Sequence, residues 1–135
     1  MTNGKQVIAT TTGVPFIRGF LSGVPYGRSK PRGDQQVAPA WTDAVIQQTQ
    51  NWPKVSEACA VHVTFLLPAT SFPGDFPYGP DVDNLCKRFF DALNVTVFST
   101  APGRDSCVIA LHVMKAKVPP GGRTGAAIEI LPVSV

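Results

Sequence analysis

Pro80-Asp81-Val82-Asp83-Asn84-Leu85-Cys86-Lys87-Arg88-Phe89-Phe90-Asp91-Ala92-Leu93-Asn94 is the stretch whose reading decides the fold. Val82, Leu85, Cys86, Phe89, Phe90 and Leu93 recur at helical spacing and form one apolar stripe. Asp83, Lys87 and Asp91 stand four residues apart on the other face, so each can reach the next. Pro80 suits the helix start, and an Asp beside it can cap the free N–H groups there. Asn94 is a natural stop, because Asn tolerates the left-handed turn that often ends a helix.

Asp81 and Asp83 can aim at one point only because they stand at a helix entry, where the first residue is not yet helical. Two carboxylates held together need a proton or a cation between them. A hard divalent ion such as Mg²⁺ suits such oxygen ligands. The alternative is that the acids only complement the helix dipole.

The helix has a strand on each side. Cys59 to Leu67 alternates cleanly, with Cys59, Val61, Val63, Phe65 and Leu67 on one face. Cys107 to Val113 repeats the pattern, and Lys115 and Lys117 extend it. Pro15 to Gly23 reads as a first strand weakened by two glycines, and Gly125 to Pro132 as a last one with Ile128 and Ile130 inward. Ala38 to Gln50 reads as a second helix, with Trp41 and Val45 packing onto the sheet and Asn51-Trp52-Pro53 closing it. The order β-α-β-α-β-β implies an α+β fold, with two helices packed on a small mixed four-stranded sheet.

The run from Pro80 to Asn94 resembles the signature of the RusA family of Holliday-junction endonucleases. That signature has an Asp-x-Asp-Asn start, a Lys four residues after the second Asp, and an Asp-Ala-Leu end. A further acidic residue opens a strand in the family, and here that segment is Arg104-Asp105-Ser106-Cys107-Val108. The resemblance extends in element order from about Phe16 to Leu131. It implies a Mg²⁺-dependent endonuclease (with Mn²⁺ as a substitute ion) that resolves four-way junction DNA by paired symmetric nicks in recombination and repair. It also implies a homodimer, whose two identical sites suit two symmetric nicks. Asp81, Asp83 and Asp105 are then the metal ligands, and Lys87 the catalytic cation. The expected geometry is a helix entry and a strand start meeting at one edge of the sheet. Arg104 and Cys107 depart from the family pattern on either side of Asp105 and open an alternative, a junction-binding protein that cuts poorly.

Arg28, Lys30 and Arg32 lie in a Pro- and Gly-flanked loop that suits phosphate contact, with Tyr26 available to stack. Arg88, Lys115 and Lys117 extend the expected DNA-binding surface. His62 and His112 fall on the less apolar faces of their strands and match no metal-site spacing.

Composition agrees with this reading. The chain has 135 residues, 44% of them hydrophobic, which suits one domain over 1–135 with about 1–14 loosely held. A net charge of +3 is a mild bias toward anionic partners. No apolar run reaches membrane-spanning length, and the one after Met1–Lys5 is too short for a secretory signal. Three cysteines without Cys-x-x-Cys spacing argue for buried, reduced thiols and a cytoplasmic protein, and the resemblance implies association with the nucleoid. A third reading is a small metal-binding or interaction domain that reuses the fold.

Overall fold

The computed structural model describes residues 10–11, 13–26, 37–69 and 80–134, with side chains from 13–26, 40–69 and 80–134. The elements are β1 (Thr10–Thr11), β2 (Ile17–Ser22), α1 (Val37–Thr49), β3 (Cys59–Pro68), α2 (Val82–Leu93), β4 (Val108–Val118) and β5 (Gly125–Ser134). A short 3-10 helix, Arg104–Cys107, precedes β4. The expected order is present, with β1 added where Thr10 and Thr11 pair with Ser134 and Val133. The rest of the stretch expected to be loose lies largely outside the described residues.

The four longer strands form a mixed sheet in the order β2-β5-β3-β4. β5 is antiparallel to both β2 and β3, whereas β3 and β4 are parallel. Parallel neighbours need a crossover, and α2 supplies it. β2 and β3 also run parallel, with β5 between them and α1 as their connection. Both crossovers step the same way across the sheet. The right-handed rule therefore puts both helices on one face. Trp41 of α1 accordingly stacks on Phe89 of α2, with ring centroids 6.3 Å apart.

That face holds the core. Cys59, Val61, Val63, Phe65 and Leu67 of β3 are buried, as are Ile128 and Ile130 of β5 and Ile17 and Leu21 of β2. Phe89 is fully buried against Phe65 at 5.4 Å and Phe90 at 6.0 Å. The connection after α2 is part of this core, since Val97, Phe98 and Ala101 are buried. Two hydroxyls inside it satisfy each other, with Thr49 Oγ1 and Thr96 Oγ1 at 2.7 Å.

The weakness read in β2 has a specific cause. Gly19 leaves room for the Trp52 ring, and a Cβ there would stand 2.9 Å from Trp52 Cζ2. β2 is also an edge strand, and its end is held by a side chain. The Gln48 amide accepts from Ser22 N at 2.8 Å and donates to Ser22 O at 2.9 Å.

β4 is the other edge. Its register slips by one residue near Ile109. Ile109, Leu111 and Met114 are about half exposed along it. The alternation read from Cys107 to Val113 is therefore broken: Cys107 lies in the 3-10 helix, and Val108, not Ile109, is the partner of buried Cys59, while Leu111 and Val113 pair with buried Val61 and Val63.

Candidate acidic site at the entry of the central helix

α2 enters at Asp81, whose backbone is extended (φ −66°, ψ 146°) as an N-cap requires. Its carboxylate makes no capping hydrogen bond. Asp83 is in the first turn, and its Oδ1 accepts the neighbouring Asn84 N–H at 3.0 Å. Both side chains are exposed. Two acids therefore stand at a positive helix end with one carboxylate uncommitted.

Lys115 braces this entry. It faces α2 from β4, in register with buried Phe65 of β3. Its Nζ donates to the Pro80 carbonyl at 2.7 Å. Sequence reasoning placed Lys115 on the DNA surface. The parallel β3–β4 pairing brings it to the mouth of the helix.

Lys87 is exposed on α2. Among the described residues the ion pairs are Arg18–Glu129 at 2.5 Å and, if the histidine is protonated, His62–Glu129 at 4.0 Å. The i, i+4 bridges expected from Lys87 to Asp83 and Asp91 are thus not formed, and its ammonium is left to the solvent side of the site.

Asp105 is elsewhere. Its Oδ2 accepts a hydrogen bond from Asn94 Nδ2 at 3.0 Å, and Asn94 is the C-cap of α2. The twelve residues of α2 rise about 1.5 Å each, so about 18 Å of helix separates Asp105 from the Asp81–Asp83 pair. The expectation that a helix entry meets a strand start at one sheet edge does not hold within one chain. In a parallel β-α-β unit the helix begins where the first strand ends and finishes where the second begins. Among the described residues, no three His, Cys, Asp or Glu side chains converge as a metal cage. Asp81 and Asp83 alone still fit a hard cation, since Mg²⁺ is often held by one or two carboxylates plus waters and substrate phosphate.

Arg104 does not take the Asp105 carboxylate, whose partner is Asn94. Instead it has φ 55°, an uncommon left-handed backbone for a residue with a side chain. Beside Asp105 lies a cleft of about 310 Å³ lined by Phe90, Val108, Ile109, Ala110 and Leu111.

Of the proposed DNA contacts, Arg28, Lys30 and Arg32 lie outside the described residues. Arg88 is half-buried on α2, and Lys117 is exposed near the end of β4. Tyr26 is buried in the core cluster, so it is a packing residue and not a stacking platform. His62 and His112 are register partners on the sheet face away from the helices. Their rings meet edge to face at 5.5 Å, and Arg18 and Glu129 continue the row.

Burial raises the pKa of all three thiols. Cys59 is pushed up to about 12, with Cys107 beside it adding to the effect. Burial raises Cys86 first and the Asp83 charge second, and burial is also the main cause at Cys107, which is only half-buried. Protonated thiols are neither nucleophiles nor metal ligands, so chemistry at α2 is left to the carboxylates.

Among the described residues, no helix is long and apolar enough to cross a membrane. No curated protein matches the chain. A family model described as Endodeoxyribonuclease RusA matches residues 34–130, which takes in α1, β3, α2, β4 and β5 up to Ile130.

Proposed function

The chain belongs to the RusA endodeoxyribonuclease family, and from this premise we propose that it is a Mg²⁺-dependent nuclease of four-way junction DNA, making paired symmetric nicks in recombination and repair. The observation that carries the reading is the free carboxylate of Asp81 next to Asp83 at the entry of α2.

Asp81 and Asp83 hold the ion, with Mn²⁺ as a substitute. When bound, such an ion activates water and neutralises charge on the phosphate oxygens. The protein residues do the rest. Lys115 fixes the backbone at Pro80 and so aims Asp81. Lys87, one turn below Asp83 and unpaired among the described residues, approaches the scissile phosphate. Arg88, Lys115 and Lys117 mark the side on which the duplex arms lie, and the Arg28, Lys30 and Arg32 loop extends that surface. Such phosphate contacts position DNA without reading its sequence. Asp105 answers to the third acid of the family signature, and since about 18 Å of helix separates it from the pair in one chain, it joins them only from the second copy of the homodimer. The working form is a homodimer in the cytoplasm, associated with the nucleoid.

A second reading, junction binding with impaired cutting, draws on the distance of Asp105 from the pair. One assay separates the two. The full-length protein is incubated with a synthetic four-way junction and Mg²⁺, beside Asp83→Asn. Paired nicks that disappear in the variant, with binding retained, support the nuclease. Binding without cutting by either protein supports the second reading.

A further inference from the structure

The chain has two histidines, and the fold makes them register partners. His62 of β3 and His112 of β4 lie on parallel neighbours, whose backbones run about 4.7–4.9 Å apart. Both are exposed, on the face of the sheet that the helices leave uncovered. No local spacing in the sequence joins them, since α2 stands between them in the chain.

The geometry suits an ion held between two imidazoles. The ring centroids are 5.5 Å apart and the planes cross at 72°. A tetrahedral ion takes imidazole nitrogen at about 2.0–2.1 Å, and each ring centroid lies roughly 1.1 Å beyond its nitrogen, which sets the centroids about 5 Å apart. A small rotation of the two side chains reaches that value.

The neighbouring charges form an outer support. Glu129 of β5 is the register partner of His62 on its other side. Its Oε2 accepts from Arg18 Nε at 2.7 Å, and its Oε1 stands 4.0 Å from His62 Nδ1. Ligating histidines commonly donate their second ring N–H to a carboxylate, which fixes the tautomer and makes the ligating nitrogen more basic. With Nδ1 turned to Glu129, His62 keeps Nε2 for an ion shared with His112. Among the described residues no third His, Cys, Asp or Glu joins the pair, so water fills the remaining positions.

We propose that His62 and His112 bind one divalent transition ion of the Zn²⁺ class, with Glu129 as the positioning residue that orients His62 and Arg18 as its anchor. Imidazole suits Zn²⁺, Ni²⁺ and Cu²⁺, whereas Mg²⁺ is held by oxygen. The site is therefore separate in chemistry from the acidic pair at the α2 entry, and it does not depend on the nuclease reading. Its effect falls on the edge strand. An ion joining the two rings ties β4 to β3 in the middle of their pairing, just before Lys115, which braces the Pro80 carbonyl.

The test uses the full-length protein without an affinity tag. Zn²⁺ is titrated in excess Mg²⁺ and without DNA, followed by calorimetry and by proton NMR of the histidine rings. With only two histidines in the chain, the ring signals report this site alone. Expected is one Zn²⁺ per chain, with the signals of both rings shifting together. His62→Gln and His112→Gln are each expected to lower the affinity at least about thirtyfold and Glu129→Gln about tenfold, while Asp81→Asn leaves it unchanged. At a hundred times its dissociation constant, Zn²⁺ is expected to raise the unfolding midpoint of the native protein by several degrees and that of His112→Gln hardly at all. Unfolding without metal checks that the variants fold.

No saturable binding, binding that both histidine variants retain, or a shift of one ring alone overturns the site. Binding lost in Asp81→Asn, with the ring signals unmoved in the native protein, puts the ion at the helix entry and overturns it as well. An affinity that Glu129→Gln leaves untouched overturns the positioning role.

Discussion

Asn94 donates from Nδ2 to Asp105 Oδ2 at 3.0 Å and so fixes the third carboxylate at the exit of α2, not at its entry. Asn94 Oδ1 is buried without a partner of its own, so the residue is held for this one bond. The anchor puts Asp105 at the start of β4, the end of that strand farthest from its own chain's acidic pair. Asn94→Ala frees Asp105 while leaving the α2 entry untouched. Cleavage is expected to fall at least tenfold, with the far-UV spectrum unchanged, as single-turnover cutting of a labelled junction would measure.

Lys115→Ala removes the ammonium from the Pro80 carbonyl. A hydrogen bond from a charged donor contributes about 1.5–3 kcal/mol. If most of that aims Asp81, cutting falls by about tenfold or more. Lys115→Arg, which keeps the charge, is expected to recover part of the loss. Junction affinity, measured beside cleavage, is expected to change by less than the rate.

Phe89 is the centre of the core, fully buried between Trp41, Phe65 and Phe90. Phe89→Ala is expected to cost about 3–5 kcal/mol. Denaturant unfolding measures this directly. A loss below about 1 kcal/mol would mean that α2 is not packed on the sheet as described.

The thiols are expected to be slow. Cys59 ionises near 9 as an ordinary thiol and near 12 in the fold, so between those values the folded chain keeps a proton that the unfolded one loses. The stabilisation from that proton is full below pH 9 and is lost as the pH climbs through this window. Iodoacetamide at pH 8 is expected to leave Cys59 and Cys86 unmodified in the native protein and to label both in denaturant. Half-buried Cys107 is expected to react first.

DNA binding is expected to depend steeply on salt. The logarithmic slope on duplex arms should be about −0.9 per phosphate neutralised. Arg88→Ala and Lys117→Ala should each reduce it by up to about that amount, as should changes at Arg28, Lys30 and Arg32. A binding curve flat between low and moderate salt would remove these residues from the interface.

Much of this was legible in the sequence. The helical period from Val82 to Leu93 and the two-residue period from Cys59 to Leu67 each carry one clear face, so their elements and inward sides follow directly. The acidic pair was legible because it sits at a helix start, where local sequence decides the geometry. The position of Asp105 was not legible. It depends on β3 and β4 being parallel neighbours, a tertiary fact that no local period contains. The contact of Lys115 with the Pro80 carbonyl was not legible for the same reason. Tyr26 was assigned to DNA because it sits next to a basic loop, but an aromatic at the edge of a loop can turn inward, and this one does. The buried run Val97-Phe98 belongs to the core although it lies in a connection, and its apolar character is there to read in the sequence.

The central claim is that Asp81 and Asp83 are a cation site and not helix decoration. Titration of the full-length protein with Mn²⁺, following the free-ion electron paramagnetic resonance signal, tests it without DNA. The account predicts that the native protein and Asp91→Asn deplete the signal alike, while Asp81→Asn and Asp83→Asn deplete it far less. Equal depletion by the native protein and Asp83→Asn would contradict it.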